Sequence, residues 1–295
     1  MPASIAPWLL AALATLPAAA LAKVRGSVQL SHFGWSLIDL RPDDGIAPGL
    51  GIFPGGSRAA FEASVHERRG DANGNPLPGD DGESRRERDI IEGLFLPTLQ
   101  ASAALPRSGA TVRMGGAAAD RAFSLLAQGH AGSTPDDTGA YHFLAQGTPA
   151  AVPDPAGNPA LVLTPYTRLV WTGDLSMALS HEPFLRGGRS ESAQGSFQAW
   201  LVGPGSKLID HDAQQLNLNP RDPAAKQRDR RVRLDWINDG AEAASAWMLL
   251  SVHVAGSSRY APGPPIPEPA TWALLAGGLG VVGLAARRRK TCSSA

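Results

Sequence analysis

Three groups of residues in this chain could do chemistry. The first is histidine beside an acid. His66-Glu67 and His181-Glu182 each lack the second histidine, four positions on, that a zinc-binding helix needs. His181 with His211 and Asp212 could meet only if folding brought them together. The second is a run of oxygen ligands. Asp71, Asn73 and Asn75 take the first, third and fifth positions of a calcium loop. Pro76 then stands where that loop needs glycine, and Gly82 where it needs a bidentate glutamate. The reading is a solvated loop with Asx turns and no metal. The third is tryptophan: Trp200 and Trp247 could stack on sugar rings. No Gly-x-Ser-x-Gly elbow, phosphate-cradling loop or dinucleotide fingerprint occurs. The chain therefore offers no catalytic residue and no cofactor site, and it is not expected to be an enzyme. Acidic residues on loops leave a glycosidase-like carboxylate pair, and so a secreted hydrolase, as an alternative.

The tryptophans are judged by the strands that carry them. From Thr167 to Ser180, Leu169, Trp171, Gly173, Leu175, Met177 and Leu179 share one parity, and polar residues share the other. This is a half-buried antiparallel strand, with Trp171 in the core and Gly173 as a candidate bulge. Val232, Leu234 and Trp236 alternate with Arg231, Arg233 and Asp235, so Trp236 is core as well. Phe197, Ala199 and Leu201 define one strand face, and Ala246, Met248, Leu250, Val252 and Val254 define another. Trp200 and Trp247 fall on the opposite parity of these two strands. They are either sugar-stacking residues or part of a second covered face.

Other strands are read at Ser27–Leu40 and in short apolar pieces between 93 and 148. The stretches 66–92 and Asn217–Arg230 are rich in charge, proline and glycine and read as exposed loops. Residues 149–160, with Pro149, Pro153, Pro155 and Pro159, read as a connection unable to hold a central strand. Many short strands with turn signals between them predict a mainly β body, an antiparallel β-sandwich of jelly-roll type over 23–255. It is expected as one unit or as two subdomains meeting near 149–160. A Pro/Gly-rich stalk, 256–266, follows.

Both ends read as processing segments. Residues 1–22 form a signal peptide: a short apolar run, then Ala20-Leu21-Ala22 as an Ala-x-Ala cleavage site that leaves Lys23 as the first mature residue. At the far end stand Pro267-Glu268-Pro269, an uncharged apolar run over 270–286, and Arg287-Arg288-Arg289-Lys290. A helix over 270–286 would span about 25 Å, enough for a thin bilayer core. The four cations would hold its inner end in the cytoplasm. With those cations set aside, the body is slightly acidic and offers no electrostatic reason to bind nucleic acid. The one cysteine, Cys292, lies beyond the basic stop, so packing alone must hold an exported body together.

The tripartite tail, Pro267 to Lys290, resembles the PEP-CTERM sorting signal of Gram-negative bacteria. Leu37–Pro48 and the Thr164-Pro165-Tyr166-Thr167 entry also look like segments of PEP-CTERM cargo proteins. The resemblance implies recognition by an exosortase, a membrane protease that cuts near Pro-Glu-Pro. It implies export through the Sec machinery, a transient inner-membrane anchor, and a final place at the cell surface or outside the cell. A biofilm setting with exopolysaccharide as a partner follows from the same resemblance. The expected function is a non-catalytic, exosortase-sorted surface or matrix protein; a carbohydrate-binding module and a secreted hydrolase are the alternatives.

Overall fold

The strand at Thr167–His181 sets the pattern for the whole body. Its apolar parity is buried from Leu169 to Leu179, and its polar parity faces out. The structure is a computed structural model and describes residues 24–53, 58–71, 75, 77–92, 98–116, 118, 121–132, 139–152, 159–181 and 189–260. The expected signal peptide with Ala20 and Ala22, the end of the expected stalk, Asn73 and Pro76 of the calcium-like run, and the whole sorting tail lie outside these residues.

The chain is mainly β. Its strands are β1 (Val24–Asp39), β2 (Leu50–Ile52), β3 (Arg58–Arg69), β4 (Glu83–Glu92), β5 (Leu99–Leu105), β6 (Ser108–Gly115) and β7 (Phe123–Ala131). They continue as β8 (Gly139–Ala151), β9 (Leu161–Leu163), β10 (Thr167–His181), β11 (Arg189–Val202), β12 (Leu208–Leu218), β13 (Ala225–Asn238) and β14 (Ala244–Tyr260). Among the described residues, one 3-10 turn, Pro204–Ser206, breaks the run. Among the described residues, no helix is long and apolar enough to cross a membrane.

Two antiparallel sheets result. The first runs β13-β10-β1-β7-β6-β5. The second runs β12-β11-β14-β8-β3-β4, with β9 pairing the start of β14 and β2 pairing β9. The sheets curl round a shared core as a half-barrel. The core is filled by the inward parity of both, including Leu30, Trp171 and Leu175 from the first and Phe61, Phe197 and Val252 from the second. Burying such side chains is worth about 1.5–3 kcal/mol each. Within the core, Phe33 stacks on Trp171 at 5.2 Å between centroids, and Trp35 meets Trp171 edge-on at 4.9 Å. Polar clamps also join the sheets: Glu67 on β3 accepts the Arg107 backbone N–H and the Ser108 hydroxyl, both at 2.7 Å.

Several expectations need correction. The stretches 66–92 and 217–230 are not single loops. β3 runs to Arg69 and β4 starts at Glu83, while β12 runs to Leu218 and β13 starts at Ala225. The described side chains of β4 and the first half of β13 are largely exposed, so no apolar alternation announces these edge strands. β5 is likewise a strand that no strong apolar run marks. Pro149 lies inside β8, a central strand, opposite Ala59 of β3. Its missing N–H is accommodated because β8–β14 pairing lapses between Ala150 and Gly147. β14 continues to Tyr260, so Gly256 to Tyr260 belong to the sheet rather than to a stalk. The bulge near Gly173 is real but lies on the partner strand. The β1–β10 register shifts between Ser31 and Gly34, opposite Gly173, where a Cβ on residue 173 would lie 2.9 Å from the Phe33 ring.

Candidate functional site

The outward parity of the second sheet gathers the candidate residues. On β11 it carries Ser192, Gln194, Ser196, Gln198 and Trp200; on β14 it carries Trp247, Leu249, Ser251, His253, Ala255 and Ser257. Trp200 lies opposite Leu249 on β14 and opposite His211 on β12. Trp247 lies opposite Val202, which puts the two tryptophans on the same face as diagonal neighbours. Both are half-buried. Their settings differ, however: Trp247 packs against the core, whereas Trp200 stacks on the His211 ring at 5.4 Å with 27° between planes.

Farther along the same face lies a trough of about 470 Å³, within the common range for ligand sites. Its floor is low because Ser192, Ala255 and Ser257 are small. The Ser192 and Ser257 hydroxyls bond each other at 3.0 Å. His142 on β8 forms one wall, and Gln215 and Asn217 on β12 form the other. Burial, then the Arg259 charge, then the His66 charge hold the His142 imidazole below its usual range. Burial does the same to His253. Both rings are therefore neutral near pH 7, each offering one donor and one acceptor. Composition gave no warning of this trough, since its residues are ordinary serines and amides that only the strand register brings together.

Among the described residues, the remaining sequence candidates do not assemble. His181 ends β10 beside Val24, His211 lies beside Trp200 on another strand, and Asp212 faces the opposite way, 3.3 Å from Arg230. Asp71 is closed on its own loop: its carboxylate accepts the Asn75 backbone N–H at 2.9 Å and the Asn75 amide at 3.4 Å. Among the described residues, no three His, Cys, Asp or Glu side chains are grouped to hold a metal ion. The buried carboxylates Glu191 and Asp212 lie near opposite ends of β11, since Asp212 pairs Ala199. That separation is about 26 Å along the strand, against about 5–10 Å for a glycosidase pair. Among the described residues, the Ser192 and Ser257 hydroxyls bond each other and not His142.

Residues 265–290 match the PEP-CTERM protein-sorting motif. The motif marks an exported protein that an exosortase sorts and that is transiently anchored in the membrane beforehand. No curated protein matches the chain. Three solved structures show the level of structural likeness. TmCBM61 in complex with β-1,4-galactotriose is 8% identical over 38% of this chain and 78% of that one, with a TM-score of 0.09. The infectious bursal disease virus Gx strain is 10% identical over 84% and 59%, with a TM-score of 0.13. Vicilin from Capsicum annuum is 7% identical over 82% and 77%, with a TM-score of 0.10. Scores this low mark no shared fold.

Proposed function

We propose that this chain is a non-catalytic cell-surface or extracellular-matrix protein that acts in an exopolysaccharide setting after exosortase processing. The observation that carries the reading is the sorting motif at 265–290, spanning Pro267-Glu268-Pro269, the apolar run 270–286 and the basic stop Arg287–Lys290. Prolines on both sides of Glu268 fix φ and keep the backbone extended, the form a protease cleft engages. The body is a β-sandwich of jelly-roll type in this reading, supported by two sheets that share one core.

The test is replacement of Pro267, Glu268 and Pro269 by alanine in a host that has an exosortase. Membrane insertion should persist, because the apolar run and the cations are intact. Processing should stop, so the variant accumulates with Cys292 still attached while the parent loses it. Mass spectrometry of both C-termini decides the matter; the same terminus in both leaves a plain membrane anchor.

A carbohydrate-binding body is the second reading. What favours it is Trp200, half-exposed on a sheet face beside His211 and on the same side as the polar trough. Among the described residues no comparable observation favours a secreted hydrolase.

A further inference from the structure

We infer that the outer face of the second sheet, from Ser84 on β4 across the trough to Ser192 on β11, binds a linear acidic polysaccharide. The inference rests on the carbohydrate-binding reading and adds the site and the sign of the ligand's charge.

One cross-strand row runs Ser84–His66–His142–Ser257–Ser192 over β4, β3, β8, β14 and β11. Every member carries a hydroxyl or an imidazole, and the row is about 19 Å long at the usual strand spacing. His66 Nδ1 and the Ser84 hydroxyl are 2.7 Å apart, and the His66 and His142 ring centroids are 6.1 Å apart. Cations flank the row on both sides. The row nearer the chain ends holds Arg259 and Arg68, on either side of Ala140. The next two rows inward are Arg86–Ser64–Leu144–Ala255–Gln194–Asn217 and Arg88–Glu62–Gln146–His253–Ser196–Gln215. Glu62 is the one acid in these four rows, and its carboxylate already accepts from Arg86 at 2.7 Å. Asp80, in the loop beside Arg68, has its carboxylate turned to the backbone N–H groups of Arg69 and Gly82. At the other end, Lys226 and Arg228 reach the Asn217 and Gln215 carbonyls, and Asp222 pairs Lys226. Farther along β3, Arg58 stands opposite Glu92. The body as a whole is slightly acidic, so the positive surplus belongs to this face.

Such a surplus attracts an anionic chain, and guanidinium forks match carboxylate or sulfate edges. Between the charges, hydroxyl, amide and neutral imidazole groups donate and accept at once, as sugar hydroxyls do. The serine and alanine floor makes the face concave, so a slender chain can enter where a flat bilayer surface cannot. Single-stranded nucleic acid binds on aromatic platforms, and these four rows contain no Phe, Tyr or Trp.

Fluorescence anisotropy of labelled polygalacturonate tests the inference, with the full chain in a polyoxyethylene detergent at low and high salt. Unlabelled methyl-esterified polygalacturonate, polyglutamate and single-stranded DNA serve as competitors. The variants are Arg86→Gln/Arg88→Gln/Arg259→Gln, Ser257→Asp, and Arg113→Gln/Arg231→Gln/Arg233→Gln on the outer face of the first sheet. The two triples remove the same charge, and the tail cations add the same background to all. Circular dichroism verifies that each variant is folded. The parent should bind polygalacturonate, less tightly at high salt. The second-sheet triple should weaken binding about tenfold, the sum of three exposed charge pairs. Ser257→Asp should weaken it about threefold, and the first-sheet triple about twofold at most. Equal losses in the two triples overturn the site. If the neutral methyl ester binds as tightly as polygalacturonate, the inference falls and the carbohydrate reading stands. Polyglutamate or DNA competing as well as polygalacturonate overturns the polysaccharide class. No binding of either polysaccharide overturns both.

Discussion

Phe143 is buried between the sheets because two strands offer it no side chain. A Cβ on Gly129 would lie 2.2 Å from its ring and one on Gly256 2.3 Å, while one on Gly26 would lie 2.5 Å from Val254. The first two distances are impossible without movement. Gly129→Ala should therefore destabilise the body by about 1–3 kcal/mol through overpacking, seen as a lower Tm with the fold retained. Gly26, Gly129 and Gly256 read in the sequence as mere punctuation; their meaning is a contact between strands far apart in the chain. Titration is a second residue-scale property. His130, His142 and His253 are all held below the usual 6.5, chiefly by burial. As pH falls through about 6.5, the unfolded chain takes up protons first, so it binds more of them than the folded body. Stability should be flat above about pH 7 and decline below it. Replacing the three imidazoles by glutamine should flatten that decline in thermal melts, provided the variant folds. The Asp235 carboxyl, held low mainly by the Arg168 guanidinium, contributes the same sign of change at more acid pH.

At the scale of elements, the half-barrel has two seams, each closed by side chains. At one, β12 faces β13: the Asp210 carboxylate accepts the Asp235 backbone N–H at 2.8 Å, Lys226 donates to the Asn217 carbonyl at 3.0 Å, and Arg228 donates to the Gln215 carbonyl at 3.2 Å. At the other, the Glu87 carboxylate accepts the Ser102 backbone N–H at 2.7 Å. These bonds occupy edge N–H and C=O groups that would otherwise template another strand. Asp210→Ala should cost about 1 kcal/mol and raise concentration-dependent association. Asp210→Asn, which keeps an acceptor, should restore most of both; thermal melts and light scattering read the two effects. The central strands β10, β11 and β14 were legible because one parity is apolar over their length, and Trp171 and Trp236 sit where that parity puts them. β4 and the first half of β13 were not, because strand pairing there is bought by seam contacts rather than by burial. The trough was equally illegible: its serines and amides carry no periodic signal, and only the register of β8, β14, β11 and β12 sets them side by side.

At the scale of the whole molecule, the order of strands in space differs from their order in the chain. β1 lies between β7 and β10, and β8 lies between β3 and β14. Each sheet is thus built from segments on both sides of 149–160. Neither the portion before that connection nor the portion after it owns a complete sheet, and neither can bury its apolar face alone. Both ends of the described chain also meet at one pole. Val24 pairs His181 and Ala131 there, and Tyr260 pairs Arg189. The cross-sheet clamp of Glu67 with Arg107 and Ser108 lies at the same pole. Pro267 follows Tyr260 by seven residues, at most about 25 Å of extended chain, so the sorting motif stays within that distance of this pole, and Trp200 lies toward the opposite one. A body divided at 149–160 would melt in two steps, each portion with its own transition. The interleaved sheets require one step. Urea unfolding of the full chain in detergent should therefore give coincident transitions by tryptophan fluorescence, which reports all seven tryptophans, the buried Trp171 and Trp236 among them, and by far-UV circular dichroism, which reports every strand. A resolved second transition in the body would show that two units fold apart despite the shared sheets.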